Sequence, residues 1–471
     1  MVIGRKQEKA ILDDALKSDR SELVVVYGRR RIGKTYLVRN MYRDSIRFEL
    51  SSLHRGTLND QLKNFHLALS AHRKHAGPPA DWLEAFHRLG EHITKDRSRR
   101  KKVIFIDEFP WLDTRRSRFL PAFSNFWNSY ASKRKDLVVV ICGSAASYMI
   151  SKVIKNKGGL HNRISQRIQL MPFDLVETEQ LLQWRGVKFT RYDILRVYMA
   201  MGGVPHYLEK IAPGESVAQA LDRLCFQRNG PLRAEFDNVF ASLFDRSENH
   251  EAIVRVLGHV RKGLTRTAIA RKSGLASGGT LTKTLTELEQ SGFVQRYMPY
   301  RGVKDPLFRL IDEYSMFYIK FMEISVPGRG GYWVKLQGGA SYRIWSGFTF
   351  ETVCMKHVDQ IKFALGISGV HSEDASWIEK NGDKGAQIDL LIDRDDNVIN
   401  VCEMKFVNAA FKIDKKYSSE LANKVELFRR STGTRKSVML TMITTYGILE
   451  NMYSRQTVQN ELTMDDLFVT L

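Results

Sequence analysis

The first residues that could do chemistry form a glycine-rich segment suited to wrapping a phosphate chain. Residues 28–35, with the sequence GRRRIGKT, match G-x-x-x-x-G-K-[ST] at every fixed position. In this pattern Gly28 and Gly33 let backbone N–H groups surround the phosphates, together with the N-terminus of the following helix. Lys34 is expected to reach the β- and γ-phosphates, and the Thr35 hydroxyl is expected to ligate Mg²⁺. The segment therefore predicts a nucleoside triphosphate site.

Two carboxylates follow an apolar run further along the chain. Val103–Ile106 predicts a buried strand, and Asp107 and Glu108 come directly after it. We expect Asp107 to hold Mg²⁺ through the water shell of the ion. Glu108 is placed to polarise the attacking water as a general base, so hydrolysis of the nucleotide is favoured over binding alone.

Two further residues leave alternatives open. Ser144 follows the apolar run Leu137–Cys142 and could sense the γ-phosphate, although a serine at this position is equally typical of a turn. Arg163 lies in a basic segment, where it is either an arginine finger supplied by a neighbouring subunit or a surface arginine. The finger role would require a homo-oligomer, which the sequence neither demands nor excludes.

A second set of chemically suitable residues lies near the C-terminus. Residues 387–392 predict a strand that carries Asp389, and residues 398–405 predict the returning strand with Glu403 and Lys405. Glu403 and Lys405 are two residues apart and therefore project from the same face, whereas the register that would set Asp389 against Glu403 is not determined by the pattern. Two carboxylates can hold Mg²⁺ for attack on a phosphodiester, and a neighbouring lysine can stabilise the developing charge.

Regular elements must position these residues, and the first 170 residues alternate apolar β-branched runs with amphipathic helical segments. This alternation predicts an α/β domain with a parallel sheet covered by helices on both faces. The predicted strands are Leu23–Tyr27, Ile46–Leu50, Val103–Ile106 and Leu137–Cys142.

The pattern along the rest of the chain predicts an α/β multidomain protein with four parts. Residues 1–175 form the phosphate-binding domain, and residues 176–240 have helical periodicity. Residues 241–310 contain a helix-turn-helix pattern followed by a short strand, and residues 311–471 are aromatic at first and then rich in strands.

The helix-turn-helix pattern indicates a winged helix. Residues 267–273 and 280–290 predict its two helices, and residues 293–297 predict the strand. Phosphate contacts are available from Arg271, Lys272, Lys283 and Arg296. Glu287 and Glu289 on the second helix oppose DNA binding, so direct contact with DNA and a purely structural role are left as equal alternatives.

The composition indicates a polyanionic partner. Lys and Arg number 73 against 52 Asp and Glu in 471 residues, which gives a net charge of +21 at pH 7. Such an excess most often accompanies nucleic-acid binding. The sequence has no apolar run of membrane-spanning length, no signal-peptide pattern and no CxxC pair among its four cysteines. We therefore expect a cytoplasmic location, reduced thiols and no membrane association.

Four motifs together resemble those of the archaeal and bacterial ATPase group in the signal-transducing (STAND) branch near AAA+ proteins. They are GRRRIGKT (28–35), IDEF (106–109), CGS (142–144) and GGVPHYL (202–208). The resemblance covers residues 1–310 and implies ATP with Mg²⁺ as the ligand, a helical lid over residues 176–240, and Pro205 close to the adenine. Residues 3–5 are similar to the opening segment of the group, which flanks the base. The stretch around Arg163 departs from the group's usual Tyr-Gly-Arg pattern.

The C-terminal hairpin resembles the PD-(D/E)XK nuclease fold, with Ile388 where the motif name has proline. The resemblance extends over residues 340–450. It implies that Mg²⁺ is held by Asp389, Glu403 and an upstream helical glutamate, Glu351.

The same region also looks like the uncharacterised C-terminal domain often fused to these ATPases, on the evidence of residues 308–319 and 347–351. Residues 311–471 are therefore expected to form an α/β restriction-endonuclease-like domain. An exposed hairpin can carry an acidic residue and an E-x-K pair without function. Asp389 and Glu403, however, stand in otherwise apolar strands, where an unpaired charge is costly.

These observations predict an ATP-binding and ATP-hydrolysing, DNA-directed protein with a Mg²⁺-dependent nuclease domain. ATP turnover would control DNA binding or cleavage, and contacts to DNA would be dominated by its phosphate backbone. The alternative is a nucleotide-controlled switch that binds DNA or protein and in which the nuclease fold is a silent scaffold. Retention of Asp389 together with Glu403 and Lys405 favours the first interpretation.

Overall fold

The structure is a computed structural model that describes residues 1–71, 77–244, 246–300, 305–326, 328, 330–379 and 385–471. The chain forms two compact units. The first consists of Met1–Pro172, Ala241–Asp245 and Gln290–Gly292, and the second consists of Phe173–Phe240, Arg246–Glu289 and Phe293–Leu471. Among the described residues, none of the helices combines the length and apolar character needed to cross a bilayer.

The first unit is built on a parallel sheet of five strands in the order β2-β3-β4-β1-β5. Its strands are β1 (Glu22–Tyr27), β2 (Ile46–Ser51), β3 (Lys102–Asp107), β4 (Leu137–Gly143) and β5 (Gln166–Gln169). Its helices are α1 (Lys6–Lys17), α2 (Lys34–Met41), α3 (Leu58–Ser70), α4 (Trp82–Lys95), α5 (Phe119–Ser129) and α6 (Ala146–Tyr148).

Helices cover both faces of this sheet because successive strand residues point to opposite sides. Val25 and Ile104 pack with residues of α3, α4 and α5 on one face, whereas Val24 and Phe105 pack with residues of α1 and α2 on the other. Every residue of β3 and β4 is buried. The predicted α/β fold with a doubly covered parallel sheet is confirmed.

The helices that begin in the second unit surround two sheets. They are α7 (Leu175–Trp184), α8 (Arg191–Met201), α9 (Pro205–Leu208), α10 (Val217–Leu221), α11 (Glu235–Leu243), α12 (Glu248–Gly258), α13 (Arg266–Ser273), α14 (Gly279–Gln290), α15 (Glu313–Phe317), α16 (Tyr332–Leu336), α17 (Ala340–Lys356), α18 (Val358–Ala364), α19 (Lys415–Thr432) and α20 (Met452–Thr457). Residues 176–240 are thus largely helical, as the periodicity predicts.

The smaller sheet of the second unit follows α12 in the chain. It is antiparallel, with the order β6-β8-β7, and consists of β6 (Leu264–Thr265), β7 (Val294–Tyr297) and β8 (Leu307–Leu310). Helices α13 and α14 lie between β6 and β7 in the chain and begin one residue earlier than the sequence predicts. Residues 301–304 of the predicted winged helix lie outside the described residues.

The larger sheet of the second unit has the order β13-β12-β11-β10-β9. Its strands are β9 (Ser372–Glu379), β10 (Ala386–Arg394), β11 (Val398–Lys405), β12 (Ser437–Thr444) and β13 (Asn460–Thr463). Strands β9, β10 and β11 pair antiparallel, whereas β12 pairs parallel with β11 after the chain crosses over through α19. Leu421 and Phe428 of α19 pack onto this sheet together with Leu440 of β12.

Candidate functional site

The glycine-rich loop between β1 and α2 has a backbone that favours glycine at both ends. Gly28 has a φ of 145°, and a Cβ at this position would lie 2.2 Å from the carbonyl oxygen of Leu170. Gly33 has a φ of 89° and directly precedes α2. The loop thus turns tightly out of a buried strand and into a helix N-terminus, which is the arrangement that binds phosphates.

Lys34 begins α2, and its side chain is buried against this loop. Its Nζ donates hydrogen bonds to the carbonyl oxygens of Gly28 at 2.9 Å and Arg29 at 2.8 Å. Burial lowers the pKa of Lys34, and the nearby carboxylate of Glu108 opposes that shift. The ammonium is therefore a desolvated cation on the loop that would wrap the phosphates, where its attraction for them is stronger than in water.

The predicted Mg²⁺ residues Thr35 and Asp107 are in direct contact. The Thr35 hydroxyl donates to Asp107 Oδ2 at 2.7 Å, and the backbone N–H of Glu108 donates to Asp107 Oδ1 at 3.0 Å. Burial raises the pKa of Asp107, and so does the neighbouring Glu108, while the Thr35 hydrogen bond lowers it. A hydroxyl beside a carboxylate supplies the hard oxygen ligands that Mg²⁺ prefers, so these residues fit the ion.

Glu108 is held by Ser144, which follows the neighbouring strand. Strand β4 lies between β1 and β3, so its carboxyl end lies between the glycine-rich loop and Asp107. Both the backbone N–H of Ser144, at 3.0 Å, and its hydroxyl, at 2.7 Å, donate to Glu108 Oε2. Glu108 itself has a left-handed backbone with a φ of 49°. The structure thus gives Ser144 a specific partner, the carboxylate predicted to act as general base.

We expect a Ser144→Ala variant to turn over ATP about tenfold more slowly while binding it with unchanged affinity. The substitution removes the hydroxyl that orients the Glu108 carboxylate but leaves the backbone N–H contact and the glycine-rich loop in place. Steady-state hydrolysis and nucleotide titration measure the two quantities. Because Ser144 is fully buried, a thermal unfolding curve serves as the control for stability. An unchanged turnover rate would contradict the orienting role.

Two other residues predicted from the sequence belong to other elements of the fold. Arg163 is exposed in the first unit, close to the start of β5. Pro205 is the first residue of α9 in the second unit and is buried there. The arginine-finger role of Arg163 and the adenine contact of Pro205 stay predictions.

In the second unit, Asp389 on β10 and Glu403 on β11 lie on neighbouring strands, next to a pair of opposed residues. The antiparallel register pairs Leu390 with Cys402, and each of the two acidic residues is the next one along its strand. The strand irregularity that the hairpin pattern left open is present in β10 between Ile388 and Leu391, which pair with Trp377 and Ala375 of β9. Asp389 also accepts a hydrogen bond from the side chain of Gln387.

Glu403 is surrounded by positive and hydrogen-bonding groups. Lys405 Nζ lies 2.9 Å from its Oε1 and Lys424 Nζ lies 2.6 Å from its Oε2, while the Tyr417 hydroxyl donates to Oε1 at 2.9 Å. Burial alone would raise the pKa of Glu403, but the two ammonium groups outweigh it and hold the pKa at about 2. Glu403 is therefore a fixed negative charge with both oxygens engaged.

Glu351 on α17 completes the group of carboxylates. Its Oε1 lies 2.7 Å from Nη2 of Arg261, which precedes β6. Burial, together with the charges of Asp389 and Glu403, raises the pKa of Glu351 to about 7, although Arg261 opposes the shift. The two neighbouring carboxylates therefore act electrostatically on Glu351. As they stand, however, no three His, Cys, Asp or Glu side chains within the described ranges are close enough to hold one metal ion.

Sequence reasoning missed three of the residues that contact these carboxylates, namely Arg261, Tyr417 and Lys424. Tyr417 and Lys424 are seven residues apart on α19, which is two helical turns, so they share one face. That spacing was visible in the sequence but is also typical of a solvated helix. Arg261 offered no signal, since it lies 90 residues before the glutamate that it contacts.

The fold and the first site together define a class of protein. A parallel sheet carries a glycine-rich phosphate loop after one strand and an acidic pair after another, with Lys34, Thr35 and Asp107 gathered at one edge. These are the features of a P-loop ATPase, a nucleotide-binding ATP hydrolase. In agreement, residues 3–211 match the sequence model of an ATPase domain found predominantly in Archaea.

Comparison with individual proteins gives more distant similarities. An uncharacterized protein of Methanocaldococcus jannaschii is 24% identical over 437 residues, which are 91% of this chain and 92% of that protein. The Walker-type ATPase PABY2304 of Pyrococcus abyssi is 16% identical with a TM-score of 0.47, over 68% of this chain and 96% of that one. The ORC2 protein of Aeropyrum pernix is 15% identical with a TM-score of 0.43, over 67% of this chain and 92% of that one.

Proposed function

We propose that this P-loop ATPase acts on DNA and that ATP turnover controls a Mg²⁺-dependent nuclease in residues 311–471. The observation that carries the proposal is the placement of Asp389 and Glu403 on neighbouring strands, each next to the opposed residues Leu390 and Cys402, with Lys405 beside Glu403 on β11. The order of elements, three antiparallel strands, a crossover helix and a parallel fourth strand, supports the proposed restriction-endonuclease-like fold. Glu351 comes from the helix that packs against β11.

The residues at this site have the donor chemistry that Mg²⁺ requires. Asp389, Glu403 and Glu351 are all carboxylates, and Glu351 is within electrostatic reach of the other two. A bound Mg²⁺ would polarise a phosphodiester and supply a nucleophilic water. Lys405 would stabilise the charge that develops on the phosphate, since its ammonium already lies at the edge of the carboxylate group.

Contacts within the second unit support a link between the GGVPHYL motif and this site. Lys356 near the end of α17 contacts both carboxylate oxygens of Glu313, at 2.7 and 2.8 Å. Gly202 of the motif lies against Glu313, since a Cβ there would be 2.9 Å from Oε2 of that residue. The same helix carries Glu351, so a shift of the motif would be transmitted to a carboxylate of the proposed nuclease site.

A second candidate is a nucleotide-controlled switch in which the C-terminal fold is a silent scaffold. The observation that favours it is the pairing of the carboxylates with protein groups: Lys405 and Lys424 contact Glu403, and Arg261 contacts Glu351. Such ion pairs can stabilise the fold or fix the strand register without any catalytic role. ATP would then alter the binding of DNA or protein without cleavage.

DNA binding is supported by the distribution of basic side chains. In the winged-helix region, the exposed cations include Arg271, Lys272, Lys283 and Arg296. Glu287, whose negative charge opposes DNA binding, contacts a histidine: its Oε2 lies 2.9 Å from Nε2 of His250. In the first unit, Lys101 and Lys102 are engaged with backbone oxygens, whereas the exposed cations of residues 152–167 are Lys152, Lys155, Lys157, Arg163 and Arg167. The charge suits a phosphate backbone rather than one base-reading patch.

We therefore expect the affinity for DNA to fall steeply with salt and to depend little on base sequence. For each phosphate contact, the logarithm of the binding constant should fall by about 0.9 for every tenfold increase in salt concentration. Fluorescence anisotropy with labelled duplexes of unrelated sequence, measured at several salt concentrations, gives the slope. A flat salt response, or a strong preference for one duplex, would count against backbone-dominated binding.

The proposed function as a whole is tested by incubating purified protein with DNA, Mg²⁺ and ATP. Cleavage that needs Mg²⁺ and changes when ATP is replaced by a non-hydrolysable analogue would support an ATP-controlled nuclease. Intact supercoiled, linear and single-stranded DNA under every condition would reject the nuclease and leave the switch as the function.

A further inference from the structure

Arg261 differs from the other cations at the carboxylate site in its origin and exposure. It lies in the segment between α12 and β6, outside residues 311–471, and its side chain remains 54% exposed. Its Nη2 is 2.7 Å from Glu351 Oε1, and its guanidinium lies 5.9 Å from the ring centroid of Phe348. Lys405 and Lys424, by contrast, belong to the larger sheet and its crossover helix, and both contact Glu403.

The segment that carries Arg261 is held by the small sheet rather than by the carboxylates. The Tyr297 hydroxyl on β7 donates to the carbonyl oxygen of Lys262 at 2.6 Å. Gly263 has a φ of 69°, and a Cβ there would lie 2.6 Å from the carbonyl oxygen of Phe308 on β8. The position of the guanidinium therefore depends on the position of β6, β7 and β8.

Cations neutralise the carboxylates of this site while Arg261 is in place. Three carboxylates, those of Glu351, Asp389 and Glu403, act on the Arg261 guanidinium. Lys405 and Lys424 contact Glu403, and the buried Arg309 acts electrostatically on Asp389. With these cations present, the site has little net attraction for a divalent cation. Withdrawal of Arg261 would remove one positive charge and free the Oε1 of Glu351.

We propose that Arg261 is an exchangeable counter-ion of this site, which competes with a divalent cation for Glu351. The inference rests on the proposed metal site in residues 311–471 and goes beyond it by naming what occupies Glu351 before the metal arrives. Because the small sheet positions Arg261, displacement of that sheet would favour metal loading. The winged-helix region would thus prevent metal binding at the carboxylate site until the small sheet moves.

The test is a titration of the nucleotide-free protein, as the full chain, with Mn²⁺. Electron paramagnetic resonance measures the concentration of the unbound ion. Binding that is lost in an Asp389→Asn variant belongs to the carboxylate site. For this fraction, Arg261→Gln should bind Mn²⁺ about tenfold more tightly than the wild type, because a like charge has been removed next to the ion. Arg261→Lys, which keeps the charge, should stay close to the wild type.

A matched control is Lys262→Gln, which removes a positive charge from the adjacent exposed position. It should leave Mn²⁺ affinity unchanged if the effect depends on the contact with Glu351 rather than on net charge. Asp389-dependent binding that is equal or weaker in Arg261→Gln would overturn the counter-ion role while leaving the metal site intact. If neither the wild type nor Arg261→Gln shows Asp389-dependent binding, the proposed metal site fails, and the counter-ion role fails with it.

Discussion

A Glu108→Gln variant is expected to bind ATP and retain it, with turnover reduced by about 10²- to 10³-fold. The amide cannot accept a proton from the attacking water, so the general base is lost. The carboxamide oxygen can still accept the two hydrogen bonds from Ser144, which preserves the local structure. Single-turnover hydrolysis gives the rate, and filter retention of labelled ATP gives the amount that remains bound.

Lys34→Ala separates binding from chemistry at the same site. This variant should lose ATP binding along with turnover, because it removes the buried cation on the phosphate loop. The matched control is Glu91→Gln on α4, an exposed glutamate of the same unit, which should turn over ATP at the wild-type rate. Undiminished turnover in both Glu108→Gln and Lys34→Ala would contradict the hydrolytic mechanism.

The first site could be predicted in most of its parts because its chemistry is local in sequence. The loop conformation follows from the positions of Gly28 and Gly33. Asp107 is the last residue of a fully buried strand, and Glu108 directly follows it. What could not be predicted was the bond between Ser144 and Glu108. It depends on the order of strands in the sheet, which sets β4 between β1 and β3.

Strand β5 was missed for a related physical reason. It is an edge strand, and of its four residues only Ile168 is buried. Its sequence of polar residues around one isoleucine therefore has neither the continuous apolar run of a central strand nor the length for a clear alternation.

The carboxylate site was only partly predictable because it is assembled from distant segments. The alternation within β11 placed Glu403 and Lys405 on one face, and they form an ion pair there. The register against Asp389 could not be read, since a period of two is satisfied by several pairings. Lys424 reaches the site from a crossover helix, and Arg261 reaches it from the segment before β6. In both cases, a charged residue within a polar stretch is typical of a solvent-exposed surface, so the sequence does not predict a buried contact.

Asp389→Ala and Lys405→Ala are each expected to abolish DNA cleavage, with a loss of at least about 10²-fold. The first removes the carboxylate on the strand next to Glu403, and the second removes the ammonium beside Glu403 Oε1. Glu403 would still be held by Lys424 and Tyr417 in both variants, so the sheet should remain folded. Cleavage of plasmid with Mg²⁺ and ATP, followed over time on a gel, measures the loss.

The matched control is Asp395→Ala, which removes an exposed carboxylate just after β10. Asp395 forms an ion pair with the exposed His371, whose Nδ1 lies 3.1 Å from its Oδ2. This variant should cleave at the wild-type rate. ATP turnover supplies an internal control, because Lys34, Asp107 and Glu108 belong to the other unit and should work normally in all three variants. Loss of cleavage with retained ATP turnover would locate the nuclease at Asp389 and Lys405. Cleavage that persists in both variants would instead show that another site cuts the DNA, and residues 311–471 would then serve as a scaffold for ATP-dependent binding.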